Sequence, residues 1–267
     1  MVTFMLNNWK RYYTFIDNVN ILTKLLLGIS LFFFAIFIHD FDFMLYLTIV
    51  MFIYLIFMSG VKWAPLLIVI AITLFFGFTS SLFMIFYGEG SHTLFKFGII
   101  NITSESLMRG LHVTMRTLVI SFYGMVIPFT SQIIYVFYSF MQHLKLKPKI
   151  AYAFMASIRM IPIMFTSFIQ LRQALKMRYQ VVDKSQRKGL KWINHLLIPT
   201  LSQSIRKSHR LAVAMEAKGF TNGKRTYYYK VPFTINDVYF IIMSILLVIL
   251  AFCLGSFFPI TNITDIR

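Results

Sequence analysis

The sequence predicts an all-α integral membrane protein, and three observations support this fold class. Of the 267 residues, 58% are hydrophobic and only 13% are charged, about half the charged fraction of an ordinary soluble domain. Several apolar stretches approach the roughly 20 residues that a helix needs to cross a bilayer. The chain has 26 Lys and Arg against 9 Asp and Glu. This composition excludes an ordinary cytosolic enzyme and a disordered chain, and it is typical of a multi-span protein with a large cytoplasmic face.

Five apolar stretches are candidates for membrane-spanning helices. They cover about residues 21–38, 43–59, 64–87, 107–129 and 238–258. The first follows a polar, charged segment and has no small-residue cleavage site after it, so we interpret it as a retained span. Cations precede the first span and mark the second turn, whereas the first turn has two carboxylates and no cation. We therefore expect five spans with a cytoplasmic N-terminus.

Most of the positive charge lies between the fourth and fifth spans. Residues 131–235 hold 18 Lys and Arg but only two acidic residues, Asp183 and Glu216. We therefore expect three regions. Residues 1–130 carry four spans, residues 131–235 form a basic cytoplasmic domain of three helices, and residues 236–267 form the last span and a short external tail.

One run inside the basic domain, residues 150–171, could pass for a further span. Arg159 and Pro162 lie in its middle, and an Arg at mid-bilayer costs about 2.5–3.5 kcal/mol. A crossing here would also place 14 Lys and Arg on the outer side. We therefore expect a long helix that lies on, or dips into, the cytoplasmic surface.

The three helices of the basic domain are predicted near residues 131–144, 149–181 and 190–218. Pro199 predicts a kink or a break in the third, and Gly219 suits the left-handed position that follows a helix. The second and third helices each end in a short tip that carries a cation. Such a tip suits an acidic or carbonyl-lined groove on a partner, and two tips suit a two-lobed partner.

The segment 211–220 resembles the signature A-x-A-x-E-A-R-G-[FY] of the transmembrane T component of energy-coupling factor (ECF) transporters, the EcfT/CbiQ-like family. Other short motifs precede this segment, in the order in which the family has them. They are T-K-L at residues 23–25, Arg116 and Thr117 with Thr130, S-I-R-M-I-P at residues 157–162, and I-P at residues 198–199.

The resemblance implies that each tip docks on one of two ABC-type ATPases. The implied docking residues are Met177, Arg178, Tyr179, Ala217, Lys218 and Gly219. Lys218 stands where the family has Arg, and Lys lacks the planar fork of donors that Arg has. Met177 and Tyr179 replace small residues beside Arg178. Structural roles in the coupling domain are expected for Arg116, Arg159, Pro162, Pro199 and Glu216, with Arg116 bracing that domain or a carbonyl-rich helix break.

By resemblance the chain is a non-catalytic scaffold in a bacterial plasma membrane, for uptake of a vitamin, a vitamin precursor or a transition-metal ion. The expected partners are two ATPases, a small integral membrane substrate-binding (S) protein and the lipid bilayer, not nucleic acid. No phosphate-binding loop G-x4-G-K-[ST] occurs, so another chain must hydrolyse ATP. The six histidines form no close ligand pair, so we expect no metal and no cofactor.

Two other function classes stay open at this point. An intramembrane enzyme would need clustered acidic or nucleophilic side chains at membrane depth, and the spans nearly lack carboxylates. A membrane-tethered binder of anionic lipid or nucleic acid would use the 18 cations of the basic domain on phosphates.

Overall fold

The computed structural model describes residues 10–87, 93–97, 100–178, 190–220 and 226–261. These residues form a 3-10 turn (Phe15–Asn18), an antiparallel pair of strands and eight α-helices. The strands are β1 (Thr93–Phe97) and β2 (Ile100–Thr103), and the helices are α1 (Ile21–Phe37), α2 (Phe41–Met58), α3 (Trp63–Tyr87), α4 (Ser104–Thr130), α5 (Ile133–His143), α6 (Pro148–Arg178), α7 (Leu190–Ala217) and α8 (Ile235–Phe257). The all-α membrane fold class is confirmed. The strand pair is a local addition in the expected loop between the third and fourth spans.

The chain divides into two compact units. The bundle unit comprises Thr3–Ser139 and Val231–Arg267, and the inserted unit comprises Phe140–Lys230. The bundle unit contains α1 to α4 and α8, whereas the inserted unit contains α6 and α7. Helix α5 begins in the bundle unit and ends in the inserted unit.

Five helices among the described residues are long and apolar enough to cross a membrane, namely α2, α3, α4, α6 and α8. Helix α1 is apolar but has 17 residues, about 25 Å, which is the lower limit for a span. The set therefore differs in one member from our expectation. By length and composition, α6 qualifies as a candidate span despite its central Arg159, whereas α1 does not.

The core of the bundle unit lies where α1 and α2 pack against α4. Leu47 of α2 and Val119 of α4 are fully buried, and the rings of Tyr54 and Tyr123 stack with centroids 6.5 Å apart. A Cβ atom at Gly28 of α1 would lie 2.9 Å from the Tyr123 ring. Glycine at this position therefore lets α1 approach α4 closely.

The helices of the bundle unit alternate in direction, which gives the bundle two distinct ends. At the near end, Arg11 N donates to Gly60 O at 2.8 Å and Asn20 N donates to Asp237 Oδ1 at 2.7 Å. At the far end, Thr261 N donates to Asp42 Oδ1 at 3.0 Å. The near end therefore gathers the segment before α1, the α2–α3 turn and the start of α8.

Candidate functional site

Helices α6 and α7 form an antiparallel pair inside the inserted unit. Lys207 Nζ donates to Ser167 Oγ at 2.8 Å, and the rings of Tyr152 and Phe220 meet edge to face with centroids 5.6 Å apart. Residue numbers thus fall along α6 as they rise along α7. The C-terminal ends of the two helices therefore lie at opposite ends of the pair.

The C-terminal end of α7 is closed by a Schellman motif. Phe220 N donates to Met215 O at 3.0 Å, and Gly219 N donates to Glu216 O at 2.9 Å. Gly219 has a φ of 73°, a left-handed conformation that strains residues with a Cβ. Lys218 is thereby held at the last position of the helix end, in a fixed backbone conformation.

Both tips present their described side chains to the surroundings. Ala217, Lys218 and Gly219 are exposed, and a Cβ atom at Gly219 would meet nothing within 4 Å. At the other tip, Met177 is 69% exposed and Arg178 is the last residue of α6. Tyr179 lies outside the described residues.

The structure does not bring the two predicted tips together. Tyr152 lies beside the end of α7, and Arg178 lies 26 positions further along α6. At a rise of 1.5 Å per residue, the two tips are about 40 Å apart along the pair. The arrangement can therefore contact two separate grooves, whereas a single pocket could not receive both tips.

Replacing Gly219 by alanine is expected to fray the end of α7. The left-handed conformation costs a residue with a Cβ about 1–2 kcal/mol, so amide exchange at residues 219 and 220 should quicken about 5- to 30-fold. Hydrogen exchange with mass spectrometry on the full chain measures this. Gly219→Asn is the matched control, because Asn tolerates the left-handed region; equal exchange in the wild type and the alanine variant would contradict the capping role.

Of the other residues singled out in the inserted unit, Arg159, Pro162 and Pro199 lie along the helices away from the tips, whereas Glu216 lies in the last turn of α7, beside its tip. Arg159 is exposed and Pro162 lies inside α6. Pro199 lies inside α7 and does not divide it. The next residue, Thr200, donates through Oγ1 to Leu196 O at 2.7 Å. Glu216 is exposed, and its carboxylate makes no ion pair with any described residue.

Arg116 lies in the bundle unit, on α4. Its Nη2 donates to the carbonyl of Ile38, the residue that caps α1, at 2.9 Å. Its Nε is buried and has no hydrogen-bond partner among the described residues. Arg116 therefore braces the end of α1 within the bundle, where a helix leaves its last carbonyls without intrahelical partners.

Sequence reasoning did not identify a cluster of buried polar side chains at the near end of the bundle. Its members include Asn20, Thr23, Lys24 and Asp237, each at most 6% exposed. The available signal was the presence of polar residues in the first turns of two apolar helices. Such residues usually face solvent, so the pattern alone does not predict that they meet.

No group of three or more His, Cys, Asp or Glu within the described ranges could hold a metal ion. The buried carboxylates on described helices are also engaged. Asp237 accepts hydrogen bonds from Asn20 and Thr23, and Asp42 accepts from Thr261.

Comparison with known proteins gives one family and two relatives. The family model described as cobalt transport protein (CbiQ) matches residues 13–229, a range that includes both tips. The chain is 29% identical over 220 residues to the energy-coupling factor transporter transmembrane protein EcfT of Streptococcus equi subsp. equi (strain 4047), covering 76% of this chain and 78% of that protein. It is 27% identical over 181 residues to the protein of the same name from Lactococcus lactis subsp. cremoris (strain MG1363), covering 63% and 68%.

Proposed function

Since this chain belongs to the CbiQ family, the transmembrane T components of energy-coupling factor (ECF) transporters, we propose that it is the non-catalytic scaffold that joins two cytoplasmic ABC-type ATPases to an S component. The chain is a multi-pass protein of a bacterial plasma membrane. In the proposed complex, the ATPases bind the inserted unit and the S component contacts the apolar helices. Substrate binds to the S component, and ATP is hydrolysed by the ATPases.

The placement of the two tips carries this proposal. Each tip ends a long helix, bears a cation and projects exposed side chains, and the tips are about 40 Å apart. A pair of ATPases offers two grooves, one for each tip. Cations at the tips would donate charge-assisted hydrogen bonds to carboxylates or carbonyls lining those grooves, and such bonds are stronger than neutral ones.

The scaffold would convert ATPase closure into movement of the S component. When the two ATPases approach each other, the grooves that hold the tips also approach. The antiparallel α6–α7 pair joins these two points, so it must tilt or bend in response. Energetically, the ATPases shift the scaffold toward the conformation whose tips fit the closed grooves better.

We place the near end of the bundle on the cytoplasmic side. Lys24 Nζ lies 2.8 Å from Ser131 Oγ, just after the end of α4, and Asn20 N lies 2.7 Å from Asp237 Oδ1, in the first turn of α8. Because both points are at one end, the chain crosses the membrane an even number of times between them. A single crossing by α6 is incompatible with this parity, which supports a surface location for α6.

Labelling with a membrane-impermeant maleimide tests this topology. The background is Cys253→Ser, since Cys253 is exposed. A cysteine at Ile260, at the far end and 63% exposed, is expected to react in intact cells. A cysteine at Ala214, exposed on α7, is expected to react only after the membrane is permeabilised. Reaction at Ala214 in intact cells would contradict the proposed orientation.

The imported solute is proposed to be a water-soluble vitamin, a vitamin precursor or a transition-metal ion. The family description names cobalt, whereas the names of the two relatives specify no solute. Since we assign substrate binding to the S component, the solute should follow from the S component that copurifies.

Copurification from the native membrane tests the scaffold role directly. Mild solubilisation followed by affinity capture of this chain is expected to recover two ATPase subunits and one small membrane protein. Absence of ATPases from an intact preparation would overturn the proposal. Salt-sensitive retention of anionic lipid or nucleic acid, without ATPases, would instead favour a membrane-tethered phosphate binder.

A further inference from the structure

A cluster of buried polar side chains at the near end of the bundle holds both connections to the inserted unit. We call it the polar junction; it consists of Asn20, Thr23, Lys24, Thr130, Ser139 and Asp237, each at most 6% exposed. All six residues belong to the bundle unit. Buried polar groups destabilise a fold unless they are paired, and each of these side chains makes a hydrogen bond.

Lys24 holds the outgoing connection. Its Nζ donates to Thr130 O at 3.2 Å, to Thr130 Oγ1 at 3.1 Å and to Ser131 Oγ at 2.8 Å. Thr130 is the last residue of α4, where the helix carbonyls lack intrahelical partners and carry the negative end of the dipole. The ammonium thus directs its donors at the end of α4, from which the chain runs into α5 and on to the inserted unit.

Asn20 and Thr23 hold the incoming connection. Asn20 N and Thr23 Oγ1 donate to Asp237 Oδ1, in the first turn of α8, at 2.7 and 3.0 Å. Asn20 Nδ2 donates to Val231 O at 3.3 Å, and Asn20 Oδ1 accepts from Ser139 Oγ at 2.8 Å. The start of α1 therefore contacts Ser139, the last bundle-unit residue before the inserted unit, and Val231, the first one after it.

We infer that the polar junction is a rigid transmission point and that Lys24 is its main positioning residue. Because both connections are fixed to α1, displacement of the inserted unit moves the bundle helices and is not absorbed by bending of the connections. Charge-assisted hydrogen bonds sealed from water are strong enough to keep such a contact closed. The inference rests on the proposed function, in which the ATPases supply the displacement.

Hydrogen exchange on the assembled complex tests the inference without a transported solute. In the wild type, a non-hydrolysable ATP analogue is expected to change exchange both in α7 and at the near end of α1 and α8. In Lys24→Met the change in α7 should persist, while the change in α1 and α8 falls about fivefold or more. Lys62→Met is the matched control, because Lys62 is an exposed cation at the same end, and both responses should persist.

The outcomes separate the two proposals. If the ATPases copurify and Lys24→Met responds like the wild type, the transmission role is overturned and the scaffold function stands. If the wild type recruits no ATPases, the scaffold function itself fails. Loss of the α1 and α8 response in both lysine variants also overturns the inference, because the effect would then follow from charge alone.

A cross-link provides a second test that leaves Lys24 in place. Thr23 and Asp237, whose side-chain oxygens are 3.0 Å apart, are both changed to cysteine in a Cys253→Ser background. Oxidation then locks α1 to α8. If the junction stays closed throughout the ATPase cycle, the change in hydrogen exchange caused by the ATP analogue should be the same in the oxidised and reduced complexes to within about twofold. A response lost on oxidation and restored by reduction overturns the inference, because the junction would then have to open.

Discussion

Reversing the charge at both helix tips, with Arg178→Glu and Lys218→Glu together, is expected to abolish association with the ATPases while the membrane helices stay inserted. Each cation is proposed to be desolvated in an acidic or carbonyl-lined groove, where loss of one partner costs about 2–5 kcal/mol of binding free energy. Either single reversal should therefore weaken binding strongly, and the double variant should fall below detection. Affinity capture from mildly solubilised membranes, with quantification of the bound ATPases, measures the effect.

Two controls make this result specific to the tips. Arg206→Glu with Lys62→Glu produces the same change in net charge at exposed positions away from both tips, and it should leave ATPase association intact. Lys218→Arg keeps the charge and adds the planar fork of donors, so it should bind at least as well as the wild type. Unchanged association of the Arg178→Glu, Lys218→Glu double variant would refute the docking role.

Gly60→Ala is expected to destabilise the bundle unit more than a typical glycine replacement. Gly60 has a φ of 60°, and a Cβ atom there would lie 2.5 Å from the backbone oxygen of Tyr12. The clash involves backbone on both sides, so it cannot be relieved by a change of rotamer. Left-handed strain and overpacking together should cost about 2–5 kcal/mol and separate the segment before α1 from the α2–α3 turn.

Gly124→Ala is the matched control for this prediction. Gly124 lies inside α4, and a Cβ atom there would meet nothing within 4 Å. In a helix interior, alanine is more favourable than glycine by up to about 1 kcal/mol. This variant should therefore be at least as stable as the wild type. Thermal unfolding in detergent, followed by size-exclusion chromatography, compares the two; equal unfolding temperatures would contradict the strain assigned to Gly60.

The helices could be predicted from the sequence because their signals are local. Predicted helices near residues 131–144, 149–181 and 190–218 correspond to observed helices at 133–143, 148–178 and 190–217. The Gly219 cap was predictable for the same reason, since only a few consecutive residues define a Schellman motif. Identification of the family depended on the order of several short motifs along the chain.

Two other features were not predicted from the sequence. The strand pair at residues 93–103 was expected to be a loop, since two strands of five and four residues give a weak pattern and form only when they pair. The set of helices that are long and apolar enough to cross a membrane also differed from expectation, because it includes α6 and leaves out α1. Helix α6 has 31 residues and α1 has 17, whereas the sequence-based assignment relied on charge and placed the segment with Arg159 outside the membrane.

Local sequence patterns were enough to predict that this protein is helical and membrane-embedded and that two of its helices end in cations, because hydropathy, charge and capping act within a single helix. The tertiary structure alone decided that these ends point away from each other, since only the antiparallel pairing of α6 with α7 sets their separation. It also decided that Lys24 is buried. A lysine near the start of an apolar helix is ordinarily solvated, and only the carbonyl and hydroxyl oxygens of residues 130 and 131, more than 100 positions away, make its burial possible.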